Sequence, residues 1–296
     1  HSVVAQHRRT LRCPPSYRLD GCLALVTGGN KGIGAAVTDE LEARGSRVIV
    51  AAREVSNPVN DLAGPIRALG SRPGLTLDLA DLDSVCAAAD SLVTKLDGEL
   101  LDVVVLNAGI IPARKAVSAQ GHERAFAVNV LGHHVLLQRL RSAGVLATPS
   151  RVVGLTGDIQ VLARDCTSDF SNTSRPAGWT AYARSKLGTT WLYRETARRH
   201  PDMTVIAVHP GVVSSGLTGG GAPGAGRRRD RLTKIPPRLS AETILCAVTQ
   251  PLPSGCFLHN TLGVVELRTK DLAGDHRRGA AFVARLDELA APWLAS

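Results

Sequence analysis

The sequence predicts an α/β protein, a doubly wound parallel sheet folded as a single domain. Short runs of consecutive apolar residues alternate with helical spacings from residue 22 onward. The first run passes directly into a glycine-rich turn that opens the first helical stretch. The chain has 296 residues, 44% of them hydrophobic, enough to bury one large core.

Cys22-Leu23-Ala24-Leu25-Val26-Thr27 is the first buried run. From Gly32 to Ala43 the spacing is helical, with Ile33, Val37 and Leu41 on one face and Gly45 as the stop. Further runs stand at Arg47 to Ala52, Leu101 to Leu106, Arg151 to Leu155 and Met203 to Val208. Strands that are apolar on both faces need helices on both sides, the condition of a parallel sheet. Residues 214–239 interrupt the alternation with Gly219-Gly220-Gly221-Ala222-Pro223-Gly224-Ala225-Gly226 and an arginine cluster. A loop of that length is expected to be an active-site lid or disordered. Helix and strand signals resume as far as Trp293, so residues 20–296 are expected to form one domain with a lid loop, preceded by a basic extension over 1–19.

The net charge of +9 is local. Arg8, Arg9, Arg12 and Arg18 in the extension, and the excess of basic residues over 227–238, account for all of it. With aromatics at 3%, this pattern describes two solvated basic segments rather than a nucleic-acid surface, which spreads charge along a groove and stacks bases on aromatics. No apolar run approaches the roughly 20 residues of a membrane span, and the first nineteen residues lack the apolar core of a signal peptide. Six cysteines without a CxxC pair fit reduced thiols. Together these features predict a cytoplasmic protein with no metal, nucleic-acid or membrane-spanning partner.

Thr27-Gly28-Gly29-Asn30-Lys31-Gly32-Ile33-Gly34 follows the first strand and opens the first helix. Glycines there admit a pyrophosphate close to the backbone, and the helix N-terminus offers oriented N–H donors, as in Rossmann-type dinucleotide sites. A second GxGxxG (Gly219, Gly221, Gly224) follows no strand and contains Pro223, so it is rejected. Where an acid would hold the ribose 2′-hydroxyl of NAD, the chain has Ala51-Ala52-Arg53. Arg53, aided by Lys31, suits a 2′-phosphate, which predicts NADP(H). Tyr182 and Lys186, four apart, share one helix face. An ammonium beside a phenol is expected to draw the phenol pKa down toward working pH, giving a proton donor to a carbonyl. His133-His134 point in different directions from one helix and read as packed or solvent-facing imidazoles. Cys166, Asp165 and Trp179 each read as a cleft wall or as ordinary loop or core.

These motifs resemble those of the short-chain dehydrogenase/reductase family, and within it the retinol-dehydrogenase-like branch, over residues 20 to about 293. The resemblance implies that Asp78-Leu79 follow the third strand and contact the adenine, and that Asn107-Ala108-Gly109 shape the cofactor pocket after the fourth. It implies that Asn129 holds a relay water and that Tyr182 and Lys186 are the acid–base and ribose-binding pair. It also implies that Pro210, Gly211, Val213 and Ser215 lie along the nicotinamide. Homodimers or tetramers are implied too. Retinoid specificity is not carried over, since animal members act at membranes.

One position departs from the family. Arg151-Val152-Val153-Gly154-Leu155-Thr156-Gly157-Asp158 aligns without gaps and puts Gly157 where the family has its catalytic serine. Three readings follow: Thr156 or Asp158 supplies the polar group, the substrate brings its own hydroxyl, or ordinary carbonyl reduction is abandoned. The expected function is an NADP(H)-dependent oxidoreductase interconverting a ketone or aldehyde and an alcohol. The alternatives are an epimerase, dehydratase or cyclase on the same scaffold, or a non-catalytic NADP-binding protein.

Overall fold

A computed structural model describes residues 6–56, 58, 64–66, 72–166, 178–213 and 234–295. A short helix, α1 (Gln6–Arg9), precedes β1 (Leu23–Thr27), α2 (Gly32–Ala43), β2 (Arg47–Ala52) and β3 (Gly74–Thr76). Next come α3 (Leu82–Leu96), β4 (Leu101–Leu106) and a helical passage of α4 (Arg124–Phe126), a π turn (Ala127–Leu131) and α5 (Gly132–Ser142). β5 (Leu146–Leu155), a 3-10 turn (Asp158–Leu162), α6 (Gly178–Arg199) and β6 (Met203–His209) follow. The chain closes with α7 (Pro237–Thr249), β7 (Phe257–His259), β8 (Gly263–Val265) and α8 (His276–Leu294). The sheet order is β3-β2-β1-β4-β5-β6-β7-β8. All pairs are parallel except the last, where Gly263 at positive φ lets β8 fold back antiparallel on β7.

Successive side chains of a strand face opposite sides, and the two cores divide accordingly. Leu23 and Leu25 pack with residues of α3, α5, α6 and α8, such as Leu92, Val135, Leu187 and Leu286. Ala24 and Val26 pack with Val37 and Leu41 of α2 and Ile244 of α7. This is the doubly wound single domain that the apolar runs predict. β5 begins at Leu146 rather than Arg151, because Leu146 pairs with Leu101 beyond an irregularity in the ladder. Among the described residues no helix is long and apolar enough to cross a membrane, and all six cysteines are free thiols.

The basic extension differs from the solvated segment expected. Arg8, Arg9 and Arg12 are exposed, but Gln6, Thr10 and Cys13 are buried on the domain. Leu11 N–H donates to Asn260 O at 2.7 Å, Cys13 N–H to Glu242 Oε2 at 2.9 Å, and Arg44 holds the carbonyls of Pro14 and Tyr17. The arginines alternate with buried polar side chains, a pattern that composition cannot reveal.

Gly154 on β5 receives the Tyr193 ring from α6, and a Cβ there would lie 2.1–2.4 Å from three ring atoms. Gly154→Ala is therefore expected to destabilise the domain by about 1–3 kcal/mol through overpacking, measured by urea unfolding; an unchanged midpoint would show that this helix yields.

Candidate active site

The carboxyl ends of the parallel strands open into a cleft of about 1430 Å³ that runs from the Gly28 turn to Leu262. In open α/β sheets this edge is where ligands bind. At one end Gly28, at φ +66°, donates its N–H to Ala51 O at 2.6 Å and turns the chain out of β1. A Cβ on Gly34 would lie 2.1 Å from Gly28 O, so only glycine lets α2 start this close to the strand. The N-cap residue Lys31 forms no side-chain cap, which leaves first-turn N–H groups available to an anion. The geometry fits a dinucleotide pyrophosphate. Asn30 is tied to Glu54 O, and exposed Lys31 and Arg53 stand with Ile33 along this end of the cleft. Asp78 and Leu79 line it after β3, with Asp78 Oδ1 accepting Ala80 N–H.

Thr27 Oγ1 accepts the N–H groups of Asn107 and Ala108, each at 3.0 Å, and Asn107 Nδ2 donates to Thr27 O at 2.8 Å. The Asn107-Ala108-Gly109 segment is thereby fastened to the glycine turn. Asn129 lies in the π turn. Its Oδ1 accepts Ile110 N–H, and its Nδ2 donates to Ile110 O and to Ser185 Oγ on α6. His133, fully buried with its pKa pushed down to about 4, donates from Nδ1 to Asn129 O and meets the Thr27 hydroxyl at 3.0 Å. It is a packed imidazole, and His134 lies 3.0 Å from Asp287 on α8.

Tyr182 and Lys186 both line the cleft from α6. Lys186 Nζ donates to Leu155 O at 2.9 Å and stands 5.5 Å from the Tyr182 ring centroid. The expected lowering of the phenol pKa is not what the structure gives. Burial pushes Tyr182 up to about 12 and Lys186 down to about 8, because desolvation penalises the charged form of each.

Around Gly157 the candidates separate. The Thr156 hydroxyl is buried, donating to Lys186 O at 2.8 Å and lying 2.7 Å from Thr190 Oγ1. Thr156 lines the cleft, but its hydroxyl is engaged in the join between β5 and α6. Asp158 lines the cleft, with Oδ2 receiving His259 Nε2 at 2.8 Å and lying 3.7 Å from His209 Nε2. Sequence reasoning missed this cluster. Its signal was that β6 and β7 both end in histidine, and the register pairs His209 with His259. Trp179 is exposed in the cleft with its ring set edgewise against Tyr182. Cys166 is buried against the position of Gly188, and Asp165 pairs with Arg184 at 3.1 Å, so neither lines the cleft.

Pro210, Gly211 and Val213 line the far end, where Ser240 holds Pro210 O and a bridge joins Val213 to Ile235. Gln6 was not foreseen there: it accepts Val212 N–H at 3.0 Å and donates to Val212 O. Ser215 and positions 214–233 of the expected lid lie outside the described residues; α7 already begins at Pro237.

The family model described as short chain dehydrogenase matches residues 23–157. Retinol dehydrogenase 12 of Mus musculus is 33% identical over 215 residues, 70% of this chain and 66% of that protein. The chain belongs to the short-chain dehydrogenase/reductase family. Retinol dehydrogenase 11 of Homo sapiens is 31% identical over 217 residues, 69% of this chain and 65% of its own length. The match thus spans just under two thirds of these curated relatives. A solved protein from Mycobacterium paratuberculosis, described as putative and uncharacterized, superposes with a TM-score of 0.71 at 27% identity, covering 92% of this chain and 94% of its own. A short-chain dehydrogenase from Burkholderia cenocepacia, in complex with NADP, gives 0.61 at 27% identity, covering 83% and 98%.

The buried lysine of this family member makes nucleotide-free stability depend on pH. Lys186 loses its proton near 8 when folded and near 10.5 when unfolded, so across that window the unfolded chain holds more protons and stability rises with pH. Tyr182 acts oppositely between 10 and about 12. Lys186→Met is expected to flatten the rise between pH 8 and 10, by up to about 3 kcal/mol, measured as urea midpoints across pH. A variant whose profile tracks that of the wild type would place the titration elsewhere.

Proposed function

We propose that the protein is an NADP(H)-dependent oxidoreductase acting on the carbonyl group of a small-molecule ketone or aldehyde, in the direction of the alcohol. The observation that carries this reading is Tyr182, one helical turn from Lys186 in the same cleft as the glycine turn, with burial holding its phenol protonated up to about 12. A phenol that keeps its proton at neutral pH acts as a general acid toward a carbonyl oxygen. The bound nicotinamide supplies the hydride. Lys186 carries the ammonium that stabilises charge developing on the phenol oxygen, and Asn129 positions it by joining the β4 loop to α6. Lys31 and Arg53 at the adenosine end suit a 2′-phosphate, and the Burkholderia cenocepacia neighbour with bound NADP supports that choice.

NADPH oxidation on a panel of ketones and aldehydes tests the reading. Tyr182→Phe is expected to lower kcat about a hundredfold or more. Gly157 has φ −175° and room for a Cβ, with the nearest atoms at 3.8–3.9 Å. Gly157→Ser is therefore expected to fold and to raise kcat/KM on simple ketones by about tenfold to a hundredfold. NADPH consumed at less than one equivalent per product would move the assignment to the epimerase, dehydratase or cyclase reading.

Cofactor choice has its own test. Arg53→Ala is expected to raise KM for NADPH about tenfold and leave that for NADH unchanged. Equal losses with both cofactors would remove Arg53 from the 2′-phosphate.

A further inference from the structure

Asp158, His209 and His259 converge from the ends of three adjacent parallel strands, with their ligand-type atoms within 4.8 Å of one another. A metal site is the first chemistry to ask of such a set, and the ring nitrogens decide against it. His259 Nδ1 accepts the backbone N–H groups of Thr261 at 3.1 Å and Leu262 at 3.3 Å. His209 Nδ1 accepts the backbone N–H of Asp158 at 3.3 Å. An imidazole whose Nδ1 accepts a hydrogen bond is neutral and carries its proton on Nε2. Both Nε2–H groups then face Asp158 Oδ2, where a metal would require bare lone pairs.

One neutral donor, His259 Nε2–H, therefore holds an anion, with His209 Nε2 beside it at 3.7 Å. Burial pushes the Asp158 carboxyl up, but the His259 hydrogen bond and the two imidazoles outweigh it and leave it below the ordinary range. The histidines are buried while the Asp158 side chain is 51% exposed toward the cleft. Its second oxygen, Oδ1, accepts no hydrogen bond among the described residues. Next to it, Gly157 offers no side chain. At this point of the cleft the side chains thus offer the Asp158 carboxylate as an acceptor and, at Gly157, no donor. A bare carbonyl oxygen set against Asp158 is repelled, whereas a hydroxyl or ammonium group there is held by a charge-assisted hydrogen bond.

We propose that Asp158 is a substrate subsite for a hydrogen-bond donor, so that the substrate is a ketone or aldehyde with a hydroxyl or protonated amine on the carbon next to the carbonyl. The inference rests on the carbonyl-reductase reading for the reacting group, but the subsite can be measured by itself. Acetophenone, α-hydroxyacetophenone and α-aminoacetophenone differ only in that donor. Calorimetric titration of each into the NADP⁺-loaded protein reads the preference without turnover. Wild type is expected to bind the two donor-bearing ketones about tenfold or more tightly than acetophenone. In Asp158→Asn the amide oxygen still receives His259 Nε2–H and the NH₂ group faces the cleft, so the ratio falls toward one. Asp158→Ala is expected to lose the preference likewise, and melting curves establish that each variant is folded. Stronger binding of the amine than of the hydroxyl supports an ionic contact, and equal binding a neutral one.

Equal affinities in wild type, a preference that survives both substitutions, or failure of all three ketones to bind at millimolar concentration would each overturn the subsite. So would stoichiometric Zn²⁺ uptake abolished by Asp158→Asn. Reduction of the three ketones at equal kcat/KM removes the subsite and leaves the reductase. Selective binding with no NADPH oxidation leaves the subsite and removes the reductase.

Discussion

The Thr27 hydroxyl is the point through which the two halves of the cleft are joined. It ends β1, accepts two backbone N–H groups from the β4 loop and donates to His133 Nε2, whose other nitrogen donates to Asn129 O. Asn129 in turn binds the backbone of Ile110 and the hydroxyl of Ser185 on the Tyr182–Lys186 helix. Thr27, Asn129, His133 and Ser185 are all essentially inaccessible to solvent. In such surroundings a hydrogen bond is strong and an unmade one is costly. The glycine turn and the helix that carries Tyr182 and Lys186 lie far apart in sequence, yet they are held by one satisfied buried network. The π turn fits this picture, since π bulges in helices gather at functional sites.

Desolvation acts on the same cleft in a way that pairwise charge reasoning does not anticipate. An ammonium beside a phenol suggests a lowered phenol pKa. Here the lysine is itself buried and bonded to Leu155 O, and its own pKa falls to about 8. A cation that is costly to keep charged is a weaker stabiliser of a neighbouring anion, so the lysine stays an ammonium at neutral pH while the buried phenol keeps its proton. The protonated phenol is the form that donates to a carbonyl oxygen, in keeping with the proposed reduction.

The parts of the fold that could be read in the sequence were those fixed by local rules. The apolar runs gave β1, β2, β4 and β6 to within a residue or two, and the glycine turn stands where a strand-to-helix dinucleotide motif requires it. The YxxxK spacing put Tyr182 and Lys186 on one face. What escaped depends on register and packing. Thr156 looked available in sequence, but β5 presents its hydroxyl to α6. Gln6 belongs to a segment whose arginines dominate its composition, while its role at Val212 needs the tertiary fold. His209 and His259 become a pair only when β6 and β7 align, and no periodicity in either strand announces it.

Gly157, where the sequence alignment leads one to expect the family's serine, is not imposed by the backbone. Its φ is near −175°, open to any residue, and a Cβ there would meet only ordinary contacts. The fold does require glycine at Gly34 and at Gly154, where side chain or backbone occupies the space. Packing therefore does not account for a glycine at position 157. The same turn carries Asp158, whose charge is supported by two histidines that are themselves oriented by backbone N–H groups. A serine at this point would donate toward an oxygen on the substrate. A carboxylate beside a bare glycine reverses that polarity, so the hydrogen-bond donor has to come from the substrate itself.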